Sequence, residues 1–232
     1  MAKPTILTFS GWAQNPSSLD HLLSAYSSHQ IINFNYSQFS NVDQCFKALE
    51  NSEINPEIII GWSLGGQIAA RLISQKIFNP TRLILIATPF EFVKSPKIPA
   101  AMPKASFDKF RNNFANNSAK TLEKFSLLMM LGSQKRAQEL EKNLHFNPDN
   151  YQNLLFWLDE LGKFSCFNLN FNNFPETLII HGQGDVVVNY LQAQFFAQKI
   201  PHSNLKILAN CGHCPHISNI TQTEDLILNF QK

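Results

Sequence analysis

Ser63 stands in Gly61-Trp62-Ser63-Leu64-Gly65, directly after Ile58-Ile59-Ile60 and before a run with apolar residues at Ile68, Ala69, Leu72 and Ile73. A serine with glycine two residues to either side, between a buried strand and a helix, fits a strained turn that holds its hydroxyl out as a nucleophile. The small flanking residues let backbone and helix approach. A serine hydroxyl attacks a carbonyl only when a base takes its proton. An imidazole base in turn needs a carboxylate to fix its tautomer and stabilise the imidazolium. Both partners follow in the chain order Ser, acid, His. Asp185 comes in Gly182-Gln183-Gly184-Asp185 after the apolar run Thr177 to His181, and His213 comes in Cys211-Gly212-His213 after Lys206-Ile207-Leu208. The chemistry so assembled is nucleophilic acyl transfer, with Ser63 attacking, His213 as general base and Asp185 orienting it. The Leu64 N–H, at the start of the following helix, and the Trp12 N–H, in Ser10-Gly11-Trp12 after the first apolar run, are the candidate oxyanion donors.

Each residue alone has a plainer reading. Asp185 can be a turn former after Gly184, Trp12 a core aromatic, and His213 one of seven histidines with His216 as its nearest rival. The joint placement of all three groups at strand ends favours the reactive reading. Cys211-Gly212-His213-Cys214 is also a C-x-x-C motif, which suggests redox chemistry. Such a motif belongs after an early strand, opening a helix, whereas here it follows the last strand. A metal set of Cys211, His213, Cys214 and His216 is cramped in its spacing. Neither a metal nor a cofactor is expected.

The elements that must position these groups alternate. Thr5 to Phe9, Ile31 to Phe34, Ile58 to Ile60, Leu83 to Ala87, Thr177 to His181 and Lys206 to Leu208 read as strands. Between them, helical periodicity runs through Leu19, Leu22, Leu23 and Tyr26 with Ser17 or Ser18 as cap, through Val42 to Leu49, after Ser63 with Pro80 as the stop, and through Leu191 to Ala197. A last helix runs from Glu224 to Phe230. Strand and helix in alternation mean βαβ units and a parallel sheet. From Lys94 to Lys163 only helical periodicity appears: Phe107, Phe110 and Phe114; Leu122, Phe125, Leu128 and Met129; Ala137, Leu140 and Leu144; and a helix opened by Asn147-Pro148 carrying Tyr151, Leu154, Leu155, Leu158 and Leu161. The organisation expected is a core of residues 1–93 and 166–232 interrupted by a helical lid at 94–165.

The chain has 232 residues, 44% of them hydrophobic, enough for one core with an insertion. Its formal charge of +2 and the lack of basic runs interleaved with aromatics exclude a nucleic-acid binder. The charge is uneven: Lys94 to Lys163 holds 11 basic and 7 acidic residues, a local +4. No apolar stretch reaches a membrane span, and four cysteines make no disulfide framework. The expectation is a cytoplasmic protein, monomeric, with no membrane partner.

Ser10-Gly11-Trp12, Gly61-Trp62-Ser63-Leu64-Gly65-Gly66, Lys120-Thr121-Leu122-Glu123-Lys124-Phe125 with Leu131-Gly132, and Gly212-His213-Cys214-Pro215-His216-Ile217-Ser218 together resemble the pimeloyl-acyl-carrier-protein methyl ester esterases of biotin synthesis, the BioH-type α/β hydrolases. The resemblance implies an α/β-hydrolase fold, a mostly parallel doubly wound sheet with a helical lid, and hydrolysis of the methyl ester of a pimeloyl chain held on acyl carrier protein. It implies oxyanion and substrate contacts at Trp12 and Leu64, and a lid segment lining the acyl channel at Phe125, Ser126, Leu127, Leu128 and Met129. It also implies carrier-protein contacts at Lys120 and Lys124, in accord with the basic middle of the chain. The chain departs from that pattern at Ser10, where a histidine is usual, at His216, where an aromatic is usual, in the short loop from Asn35 to Asn41, and in lacking an N-terminal strand pair. The alternatives are a general short-acyl carboxylesterase or thioesterase without a carrier-protein partner, and an inactive binding module of the same fold.

Overall fold

Short runs of β-branched and other apolar residues pair into one sheet whose central strands are buried on both faces. The computed structural model describes residues 3–24, 26–133 and 150–230. Its strands are β1 (Thr5–Phe9), β2 (Gln30–Asn33), β3 (Ile58–Trp62), β4 (Arg82–Ile86), β5 (Glu176–Gly182) and β6 (Ser203–Leu208), in the order β2-β1-β3-β4-β5-β6. Every pairing is parallel, so the sheet is wholly rather than mostly parallel among the described residues. All five residues of β3 are buried, as a central strand covered on both faces requires. The chain winds outward from β1 to β2, returns to the other side of β1 at β3, and then proceeds to β6. The reversal leaves a crevice beyond the carboxyl ends of β1 and β3, where open α/β sheets bind ligands.

The helices are α1 (Val42–Glu50), α2 (Leu64–Ser74), α3 (Lys104–Asn116), α4 (Ser118–Met130), α5 (Tyr151–Lys163), α6 (Leu191–Lys199), α7 (Pro215–Ser218) and α8 (Ile220–Phe230). Helices α3, α4 and α5 fall between β4 and β5, where the sequence shows helical periodicity. Ala137, Leu140, Leu144 and the Asn147-Pro148 start lie outside the described residues. The segment leaves and rejoins the core at one joint. There the Glu91 carboxylate accepts hydrogen bonds from the hydroxyls of Ser95 and Ser165, and the Cys166 N–H donates to the Phe90 carbonyl at 3.0 Å.

Two local expectations are corrected. The first helical stretch is a 3-10 helix, Pro16–Leu23. Its cap is Asn15, whose side chain accepts the Ser17 N–H, because Pro16 occupies the first turn and supplies no N–H of its own. Helix α2 ends well before Pro80: Lys76 turns left-handed at φ 60°, and Lys76 N–H and Ile77 N–H close back on the carbonyls of Ile73 and Leu72, a Schellman-type stop.

The turn from β3 into α2 depends on small residues. A Cβ at Gly65 would lie 2.1 Å from the Phe9 carbonyl oxygen, and one at Gly61 would lie 2.5 Å from the Gly66 Cα. Helix α2 therefore seats its first turn directly on the end of β1. Gly65→Ala forces these backbones apart and is expected to lower unfolding free energy by about 3 kcal/mol, read as a shift in the urea midpoint with an unchanged slope.

Candidate active site

Ser63 sits between β3 and α2 at φ 54°, ψ −121°, a conformation that L residues rarely adopt. Its N–H donates to the Ile86 carbonyl of β4 at 2.8 Å, and its carbonyl accepts the Gly66 N–H at 3.0 Å, so the strained turn is bonded on both sides. Leu64 is the first residue of α2, and an N–H at that position has no partner within its own helix. The Ser63 Oγ lies 3.0 Å from His213 Nε2, and His213 Nδ1 lies 2.7 Å from Asp185 Oδ2. With Nδ1–H donating to the carboxylate, Nε2 is the acceptor for the serine hydroxyl. All three residues are buried. The structure thus brings Ser63 together with Asp185 and His213, both of which follow it by more than a hundred residues.

Asp185 is satisfied on both oxygens. Oδ1 accepts the Val187 and Val188 N–H groups at 2.8 and 2.9 Å; Oδ2 accepts from His213 and also faces His181 Nε2 at 3.1 Å. The Asp185 carboxylate therefore holds its own turn with one oxygen and the His213 ring with the other. Burial alone would raise its pKa, but the charges and hydrogen bonds of His213 and His181 prevail and hold it well below the ordinary carboxylate value. His181, fully buried at the end of β5, is the residue that sequence reasoning missed. Its spacing of four from Asp185 was the available signal, but a strand-end histidine followed by a turn carries no pattern of its own. Because the folded-state pKa is depressed, the carboxylate's contribution to stability is fully present above about pH 4 and is lost as pH falls through the folded value. Asp185→Asn is therefore expected to destabilise the protein at pH 7, and the gap from wild type is expected to narrow below about pH 4. Denaturant midpoints at pH 6 and pH 3 check this; a gap independent of pH would contradict it.

The rival histidine has a different place. His216 is fully buried, with its ring 4.2 Å from that of Trp62. Burial, then the nearby His21 and His213, push its pKa well below the usual value, so it packs against Trp62 as a neutral ring. The His21 Nε2–H donates to the His216 carbonyl at 2.6 Å. Trp62, one residue before the serine, donates its indole N–H to the His213 carbonyl at 3.0 Å. Cys211 and Cys214 are free and buried. Burial pushes the Cys211 thiol up to about 11 and the Cys214 thiol well above its ordinary value, the opposite of what a reactive C-x-x-C thiol needs.

Trp12 lies in the turn past β1, and Tyr36 Oη donates to the neighbouring Gly11 carbonyl at 2.8 Å. The indole N–H of Trp12 donates to the Leu154 carbonyl of α5 at 2.8 Å, and its ring meets Phe110, Phe114 and Phe125 edge-on at 5.6, 4.9 and 5.5 Å. One side chain of the core thus touches α3, α4 and α5. Along α4, Phe125, Ser126 and Met129 face inward, whereas Leu127 and Leu128 are 47% and 43% exposed, because five consecutive helical residues cannot share one face. Lys120 and Lys124 are exposed. With Lys109 they line a groove of about 470 Å³ between α3 and α4, to which Phe110, Phe125 and Leu128 also contribute.

A family model described as "alpha/beta hydrolase fold" matches residues 17–220. The chain is 27% identical to the pimeloyl-[acyl-carrier protein] methyl ester esterase of Nitrosomonas europaea over 93% of its own length and 90% of that relative. It is 32% identical to the biotin biosynthesis bifunctional protein BioHC of Teredinibacter turnerae over 74% of its length, which spans 32% of that longer protein. Among solved structures, bromoperoxidase from Bacillus anthracis superposes with a TM-score of 0.81 at 18% identity, covering 100% of this chain and 92% of that one. An esterase from Exiguobacterium antarcticum superposes with 0.78 at 17%, covering 100% and 93%; at such identities the likeness is one of fold. A wholly parallel sheet with a strained serine turn at its switch point agrees with the family match, and the chain belongs to the α/β-hydrolase fold family.

Proposed function

We propose that the protein is a serine carboxylesterase that hydrolyses the methyl ester of pimeloyl-acyl carrier protein, in the synthesis of biotin. The observation that carries the reading is the bonded series Ser63 Oγ, His213, Asp185 at 3.0 and 2.7 Å. The relatives named for that reaction supply the substrate. Ser63 Oγ attacks the ester carbonyl as His213 Nε2 takes its proton, and the tetrahedral oxyanion is held by the N–H groups of Leu64 and Trp12. The C–O bond to the methoxy group breaks, His213 returns the proton, and methanol leaves. Water, deprotonated by His213, then attacks the acyl-enzyme; cleavage of the Ser63 ester and return of the proton to Oγ release the free carboxylic acid. Asp185 stays ionised throughout and stabilises the imidazolium.

Residues 94–165 serve in this reading as a lid on the core of 1–93 and 166–232. The inward residues Phe125, Ser126 and Met129 line the acyl path. The groove between α3 and α4, with Lys109, Lys120 and Lys124 on its rim, receives the acidic carrier protein and its acyl arm. A general short-acyl esterase would need no such rim.

Hydrolysis of pimeloyl-acyl-carrier-protein methyl ester, run beside p-nitrophenyl butyrate, separates the readings. Ser63→Ala is expected to lower kcat by about 10⁴-fold or more on both substrates; retained turnover would dispose of the nucleophile. Lys120→Glu combined with Lys124→Glu is expected to raise KM about tenfold on the carrier-bound ester and to leave the small ester unchanged. Equal effects on both, or none, would move the reading to the general esterase.

A further inference from the structure

The end of α4 reaches the loops that carry Asp185 and His213. Helix α4 stops at Met130, so its last carbonyls have no partner within the helix. Leu128 O and Met130 O are taken by the N–H groups of Leu131 and Ser133 in the turn itself, whereas Met129 O goes across to the His213 N–H at 3.2 Å. The Ser133 hydroxyl accepts the neighbouring Gly212 N–H at 3.1 Å.

Between these bonds the backbones touch. Gly132 stands at φ 85°, and a Cβ there would lie 2.1 Å from the Gly184 carbonyl oxygen, one residue before Asp185. A Cβ at Gly212, one residue before His213, would lie 2.4 Å from Leu131 O. The two loops are themselves tied by the Gly184 N–H to the Cys211 carbonyl at 2.9 Å. The His213 peptide is therefore gripped from both sides: its carbonyl by the Trp62 indole of the core, its N–H by α4.

We infer that Gly132 and Ser133 are positioning residues: the turn at the end of α4 holds the acid and base loops in register with Ser63, so the base is in place only while the helical segment is seated. The inference rests on the triad reading above and extends it. Trp62 ends β3 and Ser63 follows it in the turn to α2, so both keep their places without α4. Asp185 and His213 ride on loops, and among the described residues α4 and the turn that follows it supply two of the three hydrogen bonds that hold the backbone of residues 212 and 213 from outside the loop, one from the Met129 carbonyl and one from the Ser133 hydroxyl. Movement of α4 consequently changes turnover rather than affinity for a small ester, because the group it displaces acts in the chemical step.

The experiment measures kcat and KM on p-nitrophenyl butyrate, together with the rate at which a fluorophosphonate labels Ser63, in Ser133→Ala, Ser133→Thr and Gly132→Ala. Ser133→Ala leaves the Gly212 N–H without its acceptor and is expected to lower kcat and the labelling rate about fivefold, with KM and Tm unchanged. Ser133→Thr keeps the hydroxyl and restores both. Gly132→Ala pushes the turn off the Asp185 loop and is expected to lower kcat about 10²-fold, with faster amide exchange across residues 209–214. Unchanged kcat and labelling in Ser133→Ala and Gly132→Ala would overturn the inference, as would a loss that Ser133→Thr fails to restore. Ser63→Ala, run in parallel, tells the two failures apart: if it is inert while the α4 variants are normal, the triad stands and the brace falls.

Discussion

The strained turn at Ser63 is the constraint on which the rest depends. A non-glycine residue at φ 54°, ψ −121° costs on the order of 1–3 kcal/mol and persists only where its surroundings over-determine it. Here they do. β3 is paired on both edges, α2 is buried over most of its length, and Gly65 sits against the end of β1 so closely that no Cβ fits. Other left-handed non-glycine residues, Ala13, Ala87 and Asn210, lie in the turns past β1, β4 and β6. Of the five left-handed non-glycine residues in the described chain, only Lys76, past the end of α2, lies away from the sheet edge where Ser63, Asp185 and His213 meet.

Ser63 is anchored in the core, whereas Asp185 and His213 ride on loops, and each needs its own fastening. Asp185 is fixed by two backbone N–H groups on one oxygen and two imidazoles on the other. Four acceptor contacts let a carboxylate remain charged where water cannot reach it. His213 is held at its ring by Asp185 and at its backbone carbonyl by Trp62. The indole that holds His213 thus belongs to the residue adjoining Ser63, so the two share one rigid support.

Helices α3, α4 and α5 are joined to one another and to this arrangement by three kinds of contact. Trp12 presents an apolar face to Phe110, Phe114 and Phe125 and a single donor to Leu154, which gives affinity between layers along with one fixed direction. Arg111 pairs with Asp159 and Arg71 with Glu160, tying α3 and α2 to α5. The end of α4 adds bonds made wholly or partly by backbone, which tolerate little displacement.

How much was legible in the sequence follows from the range of the interactions involved. Local and periodic features were readable: the alternation of strand and helix, the glycine spacing around Ser63, the order of Ser63, Asp185 and His213, and the helical periodicity of α3, α4 and α5, because each depends on steric and burial rules that act within a few residues. Contacts across the fold were not. His181 beside Asp185, the Trp62 indole on the His213 carbonyl, the split of α4 that turns Leu127 outward and Met129 inward, and the meeting of Gly132 with Gly184 all depend on how far apart layers settle when packed. The Asn15 cap and the Lys76 stop were local too: Pro16 in the first turn puts the cap at Asn15, and α2 closes on itself at Lys76 before Pro80 is reached. Sequence alone determined which chemistry this chain carries and in what order its parts arrive. Tertiary structure decided which groups hold those parts still, since a hydrogen bond of about 3 Å has meaning only once both partners have been carried to the same edge of the sheet.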